Sequence, residues 1–158
     1  MTTATATKHE AVEVTLTRTL NAPRELVFRM WTEPQHMAQW WGPHHFTNPR
    51  CELDVRPGGN IHIDMKGPDG TVYPMTGTFH EVVPNERLVF LAVAEDDAGE
   101  PLLQSLTTVT FEERGGKTHL TVHARGTGVQ EIGWQMLQGM KEGWSQSLEK
   151  LEALAAKV

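Results

Sequence analysis

One cysteine in 158 residues, Cys51, leaves no partner for an internal disulfide. Stability must therefore come from packing, and a reducing cytoplasm is the expected location. No apolar run approaches the ~20 residues that a bilayer-spanning helix needs. Met1 to Glu10, rich in Thr and Ala, lack the basic-then-apolar order of a signal peptide and read as a loose tail. Basic clusters are missing as well: 14 Lys and Arg against 20 Asp and Glu give a net charge of −6, which argues against nucleic acid as a partner. There is no GxSxG segment, no phosphate-binding glycine loop and no dinucleotide fingerprint. Internal repeats are absent too. What is left is one domain over residues 11–158, large enough to bury roughly 68–70% of its unfolded surface.

Within that domain, period-2 alternation dominates. Val12, Val14 and Leu16 alternate with Glu13, Thr15 and Thr17, the pattern of a half-buried strand ended by Asn21-Ala22-Pro23. A short helix over about 23–32 follows, and after Pro34 a second one carries Met37, Trp40 and Trp41 at helical spacing. Strands then recur. Cys51–Val55 and Ile61–Met65 flank a Pro57-Gly58-Gly59 turn, and Pro68-Asp69-Gly70 fits a three-residue hairpin loop with Gly70 left-handed. That loop sets Met65 opposite Tyr73, Ile63 opposite Met75 and Ile61 opposite Gly77. Further strands are expected at about 77–83, 86–94, 103–112 and 117–125, making seven antiparallel strands with one apolar face each. Thr127 and Gln130 suggest a capping box opening a helix of about 27 residues, roughly 40 Å long. Its single stripe runs through Val129, Ile132, Met136, Met140, Trp144, Leu148, Leu151 and Ala155, and must lie across the sheet.

Several segments in this order resemble a known family. They are VFRMWTEP at 27–34, WWGP at 40–43 with Phe46 after it, CELDVRPGG at 51–59, GPDG at 67–70, GTFHEVVPNERLVF at 77–90, and Glu142-Gly143-Trp144 followed by Leu148 and Leu151. Together they are similar to the START-like (SRPBCC) superfamily, in the branch homologous to the activator of the heat-shock protein 90 ATPase. The resemblance covers about 14–154. It implies an α+β helix-grip fold: a curved seven-stranded antiparallel sheet around a long C-terminal helix, two short helices after strand 1, and a cavity between sheet and helix. Function does not follow from the fold, which hosts lipid carriers, cyclases and chaperone activators. His44-His45 stand where the branch commonly has Lys-Gly, altering the polarity of a loop expected near the pocket mouth.

The inward face carries the candidate ligand-binding residues. Ile63, Met65, Tyr73, Met75, Phe79 and Phe90 line it from the sheet, opposed by Met136, Met140 and Trp144 from the helix. Four methionines among these nine favour an adaptable lining over a filled core, because thioethers repack around irregular shapes. Gly139 and Gly143 thin the same helix face. Arg18 shares the face of Leu16 and Leu20, and Glu81 that of Tyr73 and Phe79; an inward salt bridge between them is expected, with ligand anchoring as the alternative.

Metal binding is not expected. His62 and His80 are out of register, His119 and His123 sit about 13 Å apart, and His44 and His45 have no nearby carboxylate in sequence to complete a site. A general-base role for His44 or His45 at the pocket mouth stays open. Cys51 alternates with Leu53 and Val55 and reads as a core residue. Trp134 falls off the helix stripe, as either a rim cap or a surface aromatic.

The leading reading is a non-enzymatic protein that binds a small, mostly apolar molecule, without cofactor, nucleic acid or membrane as partner. One alternative is a small enzyme of cyclase or hydrolase type using the same cavity, with a loop histidine or Tyr73 as proton shuttle. The other is a chaperone-contacting interaction domain; homodimerisation is a further open expectation.

Overall fold

Alternation of apolar and polar residues is realised in seven strands: β1 (Val12–Leu20), β2 (Thr47–Leu53), β3 (Asn60–Lys66), β4 (Val72–Val83), β5 (Arg87–Glu95), β6 (Pro101–Arg114) and β7 (Lys117–Gly128). The computed structural model describes residues 11–157, so the expected N-terminal tail lies outside the described residues. The strands form one antiparallel sheet in the order β1-β7-β6-β5-β4-β3-β2. From β2 to β7 it is a meander of hairpins, and β1 joins the far side against β7. The β3–β4 register is set by the Gly70 turn (φ 88°), with Met65 opposite Tyr73, Ile63 opposite Met75 and Ile61 opposite Gly77.

One irregularity changes which side chains face inward. Phe79 pairs with Phe90, but the next pair is Glu81 with Val89, so His80 is an extra residue in β4. Such a bulge reverses the alternation beyond it. Val82 now packs on the core beside Leu88 and Val109, and Glu81 turns to the outer face, where its carboxylate meets Arg87 Nε at 2.9 Å. The expected Arg18–Glu81 bridge is therefore wrong. Arg18 does face inward, opposite Leu120, but its guanidinium reaches Glu152 at 3.4 Å and Ser145 Oγ at 3.2 Å on the C-terminal helix.

Two short helices cross one end of the concave face: α1 (Arg24–Thr32) and α2 (Pro34–Trp40). Proline opens both, as Pro23 is the residue before α1 and Pro34 the first of α2, where a missing N–H costs nothing. They bury Val27, Phe28, Met30, Trp31, Met37 and Trp40, and Trp40 Nε1 donates to the Met30 carbonyl at 3.0 Å.

The last segment is two helices, α3 (Glu131–Leu137) and α4 (Met140–Ala155), and not one rod of 27 residues. The expected capping box does not form. Thr127 belongs to β7, opposite Gln104, while the Gln130 side chain donates to the Pro101 carbonyl. At the break, Gln138 and Gly139 bond back three residues, to Gln135 and Met136, before the α-helical pattern resumes with Gly143 on Gly139. The cause is close docking of α3. A Cβ on Gly133 would lie 1.8 Å from the Leu102 carbonyl oxygen, and one on Gly128 would strike the Trp134 ring at 2.4 Å. This face leaves Val129 and Ile132 outward, at 53% and 50% exposed, whereas the helical period had turned them to the sheet. α4 then buries Leu148, Leu151 and Ala155 in the core with Leu20, Trp31 and Leu120.

Candidate functional site: an apolar cavity between sheet and helices

A cavity of about 220 Å³ lies between the concave face of β4–β6 and the two C-terminal helices. Short side chains create it: Ala92 and Ala94 on β5 and Ser105 and Thr107 on β6 face Gly143 and Ser147 of α4. Met75, Phe90 and Leu103 complete the sheet wall, and Met136, Leu137, Met140 and Trp144 the helical one. Trp41-Gly42-Pro43 and Met65 close the end nearest the β3–β4 hairpin. Met136 is 39% exposed, so the cavity reaches solvent beside α3.

Rings hold the walls apart. Trp144 stacks on the fully buried Trp31 (6.1 Å, 20° between planes) and meets Trp41 edge-on at 5.4 Å. Trp41 in turn contacts Phe90 at 6.2 Å. Edge-to-face pairs of this kind each add about 0.5–1.5 kcal/mol beyond area burial. The Trp41–Phe46 loop is tied down by polar contacts. Asn48 Nδ2 donates to the carbonyls of Ala38 and Trp41, both at 2.9 Å, and Lys150 Nζ to that of Pro43 at 3.2 Å. Partial burial holds the Lys150 ammonium below the ordinary lysine range.

Among the described residues the wall carries no charged side chain, and its hydroxyls are those of Ser105, Thr107 and Ser147. Thr107 is wholly buried, and its Oγ1 has no hydrogen-bond partner among the described residues. A hydroxyl left in that state costs about 1–3 kcal/mol.

Of the residues expected from sequence, Met65, Met75, Phe90, Met136, Met140 and Trp144 line this space. Ile63 and Phe79 do not. They sit beside it in solid core, around a void of about 10 Å³ shared with Trp31, Met37 and Leu53. Tyr73 lies too near the hairpin tip to be covered by the helices; it is 38% exposed and contacts Phe46 at 6.0 Å. Arg18 and Glu81 are outside the wall for the reasons given above. Sequence reasoning missed the small residues Ala92, Ala94, Ser105 and Thr107, although their spacing of two along β5 and β6 was a visible sign of a thin wall.

The histidines are dispersed. His44 Nε2 meets Glu149 of α4 at 3.1 Å, a partner far from it in sequence, while His62 meets Asp64 and His123 meets Glu13, each at 3.0 Å. No group of three or more His, Cys, Asp or Glu that could hold a metal ion exists among the described residues. No helix among them is long and apolar enough to cross a membrane. Cys51 is half-buried, and burial, aided by the charge of Glu52, pushes its thiol up to about 11.

A curved antiparallel sheet gripping a C-terminal helix over an apolar cavity defines a START-like, helix-grip domain. The chain belongs to the family described as activator of Hsp90 ATPase homolog 1-like protein, which it matches over residues 21–156. Solved structures agree. A protein from Rhizobium leguminosarum is 27% identical, with 96% of this chain and 98% of that one covered and a TM-score of 0.77. One from Chromobacterium violaceum is 29% identical (90% and 96% covered, TM-score 0.73). A third, from Arthrobacter aurescens, is 25% identical (92% and 87% covered, TM-score 0.79). No curated protein matches the chain.

Proposed function

We propose that this protein binds a small, mostly apolar molecule in the cavity between sheet and helices, and does so without catalysing a reaction. The observation that carries this reading is the 220 Å³ space walled by Trp, Phe, Met, Leu and Ala, with three hydroxyls and, among the described residues, no titratable acid, base or cation. Small-molecule sites have this composition: an apolar surface with a few polar groups to fix orientation. Acid–base catalysis would need two ionisable groups converging on the space. His44 is engaged with Glu149 instead, and Tyr73 lies against Phe46 at the hairpin tip. Native mass spectrometry of the protein purified from its own host tests the proposal. An additional mass of a few hundred daltons or less, lost on mild activation, is the expected result. Preparations that carry no such mass, and that bind no small apolar probe at the cavity methionines, would defeat it.

A further inference from the structure

We infer that the exposed face of α3, with the acidic β5–β6 loop beside it, docks a protein segment that carries large apolar side chains flanked by Lys or Arg. The inference concerns the outer surface and is independent of what the cavity holds.

The apolar part comes first. α3 packs on the sheet through Gly133 and Leu137, both buried, and through Trp134 over Gly128. Val129 and Ile132 are left 53% and 50% exposed, and Met136, one turn beyond Ile132, is 39% exposed. Single exposed aliphatic side chains are ordinary, but here three large apolar ones follow one another along a short segment. Local stability does not account for Ile132, because isoleucine is a weaker helix former than lysine or glutamate.

The charged part selects the occupant. Gln130 Nε2 donates to the Pro101 carbonyl at 2.9 Å and reaches Asp96 Oδ2 at 3.5 Å, while the Val129 N–H donates to the Leu102 carbonyl at 2.9 Å. The β5–β6 loop therefore lies against the start of α3. Residues 95–102 and 129–138 hold Glu95, Asp96, Asp97, Glu100 and Glu131, and no Lys or Arg. Glu95 accepts from Thr76 Oγ1 at 3.0 Å, and Asp96 Oδ1 accepts from the N–H groups of Ala98 and Glu100, both at 2.9 Å. The carboxylates of Asp97 and Glu100 are exposed and have no partner among the described residues.

A second copy of the chain suits this surface poorly, because a twofold contact would set like charges against one another. An anionic bilayer is repelled for the same reason. A basic segment is attracted: its Lys or Arg steer it toward the loop, and its apolar side chains cover Val129 and Ile132.

The probe is a helical peptide of about five turns with leucine on one face and lysine on the other. Two control peptides replace leucine by serine, or lysine by glutamate. Titrated into the isotope-labelled full chain at low salt, the probe should shift amide signals centred on residues 96–101 and 129–136. Both controls should bind at least about tenfold more weakly, since one lacks the apolar burial and the other the attraction. Ile132→Ser should weaken the probe about tenfold, and so should Asp97→Lys combined with Glu100→Lys. All three side chains are exposed, and unchanged signals elsewhere verify the fold of each variant. Raising the salt to about 1 M, where the Debye length is ~3 Å, should weaken the probe as well. No binding, shifts centred elsewhere, or equal binding of the glutamate peptide would overturn the inference. A dimer that Ile132→Ser dissociates would give the face to a second copy, and vesicle binding that the same variant abolishes would give it to a membrane; either result would overturn it too.

Discussion

Filling the cavity separates an open binding space from a loosely drawn core. Ala92 is inward on β5, between Gly77 and Ser105, and its methyl is part of the cavity wall. Ala92→Leu adds three carbons directed into about 220 Å³ of space. At about 0.8 kcal/mol per buried methylene the gain is at most ~2.4 kcal/mol. Ordering the longer side chain takes back about 0.5–1 kcal/mol, leaving a net stabilisation of about 1.5 kcal/mol. The same change should weaken a naphthalene-sized guest by at least about tenfold, since three carbons occupy its place. Urea unfolding, read as a higher midpoint at constant slope, and a naphthalene titration followed by NMR at the cavity methionine methyls measure the two effects on one sample. Stability should rise while binding falls. If the variant is instead destabilised by about 1–3 kcal/mol, the usual cost of overpacking a filled core, the cavity is not a space the folded protein keeps open. Phe79→Ala is the matched control in solid core, where truncation should cost about 3–5 kcal/mol and leave binding unchanged.

The remaining predictions concern groups away from the cavity. Arg18→Met and Glu152→Leu should couple by about 0.5–1 kcal/mol in a double-mutant cycle, as suits a pair with side chains 25% and 42% exposed. Arg18→Met and Glu81→Leu should simply add; coupling between those two would contradict the bulge in β4. With its thiol raised from 9.0 to about 11, Cys51 keeps its proton in the fold when the unfolded thiol has lost it. Its contribution to stability is therefore present below pH 9 and declines as pH rises toward 11. At pH 8 iodoacetamide should modify native protein about 100-fold more slowly than unfolded protein, and equal rates would show the thiol to be unperturbed. Saturating zinc should move the melting temperature by less than about 1 °C, because stabilisation requires a native-state site; a rise of many degrees at low micromolar zinc would reveal one.

The sheet was legible because its signal is local and repeated. Each hairpin of the meander joins neighbours in sequence, and the 68–70 turn set the β3–β4 register to the residue. Glu81 was misplaced because alternation carries no sign of a bulge. One extra residue at His80 reverses everything beyond it, and the partner that selects the new face, Arg87, lies across a turn. The C-terminal helix failed for a related reason. A 3.6-residue stripe through Val129 to Ala155 describes one rod equally well as two, and the break is set by tertiary contact. Gly133 and Gly128 let α3 approach the backbone of β6 and β7, and the chain must change course at Gln138-Gly139 to leave it.

That change of course also explains why the cavity exists. α3 lies close against the sheet, with Leu137 Cδ2 2.6 Å from where a Cβ on Gly126 would stand. Beyond the break α4 is held off by Trp144, itself stacked on Trp31, while Leu148 and Leu151 seat the helix at its far end. Between the low and the high contact the sheet presents alanine, serine and threonine, and the helix presents Gly143 and a flexible methionine. None of these side chains is long enough to fill the gap. Larger ones are accommodated one strand pair away, where Ile63, Phe79 and Trp31 leave only about 10 Å³. The same layers thus make a closed core at one end and an open one at the other. The difference lies in side-chain volume at a few inward positions, which is where substitutions would reshape the cavity without changing the fold.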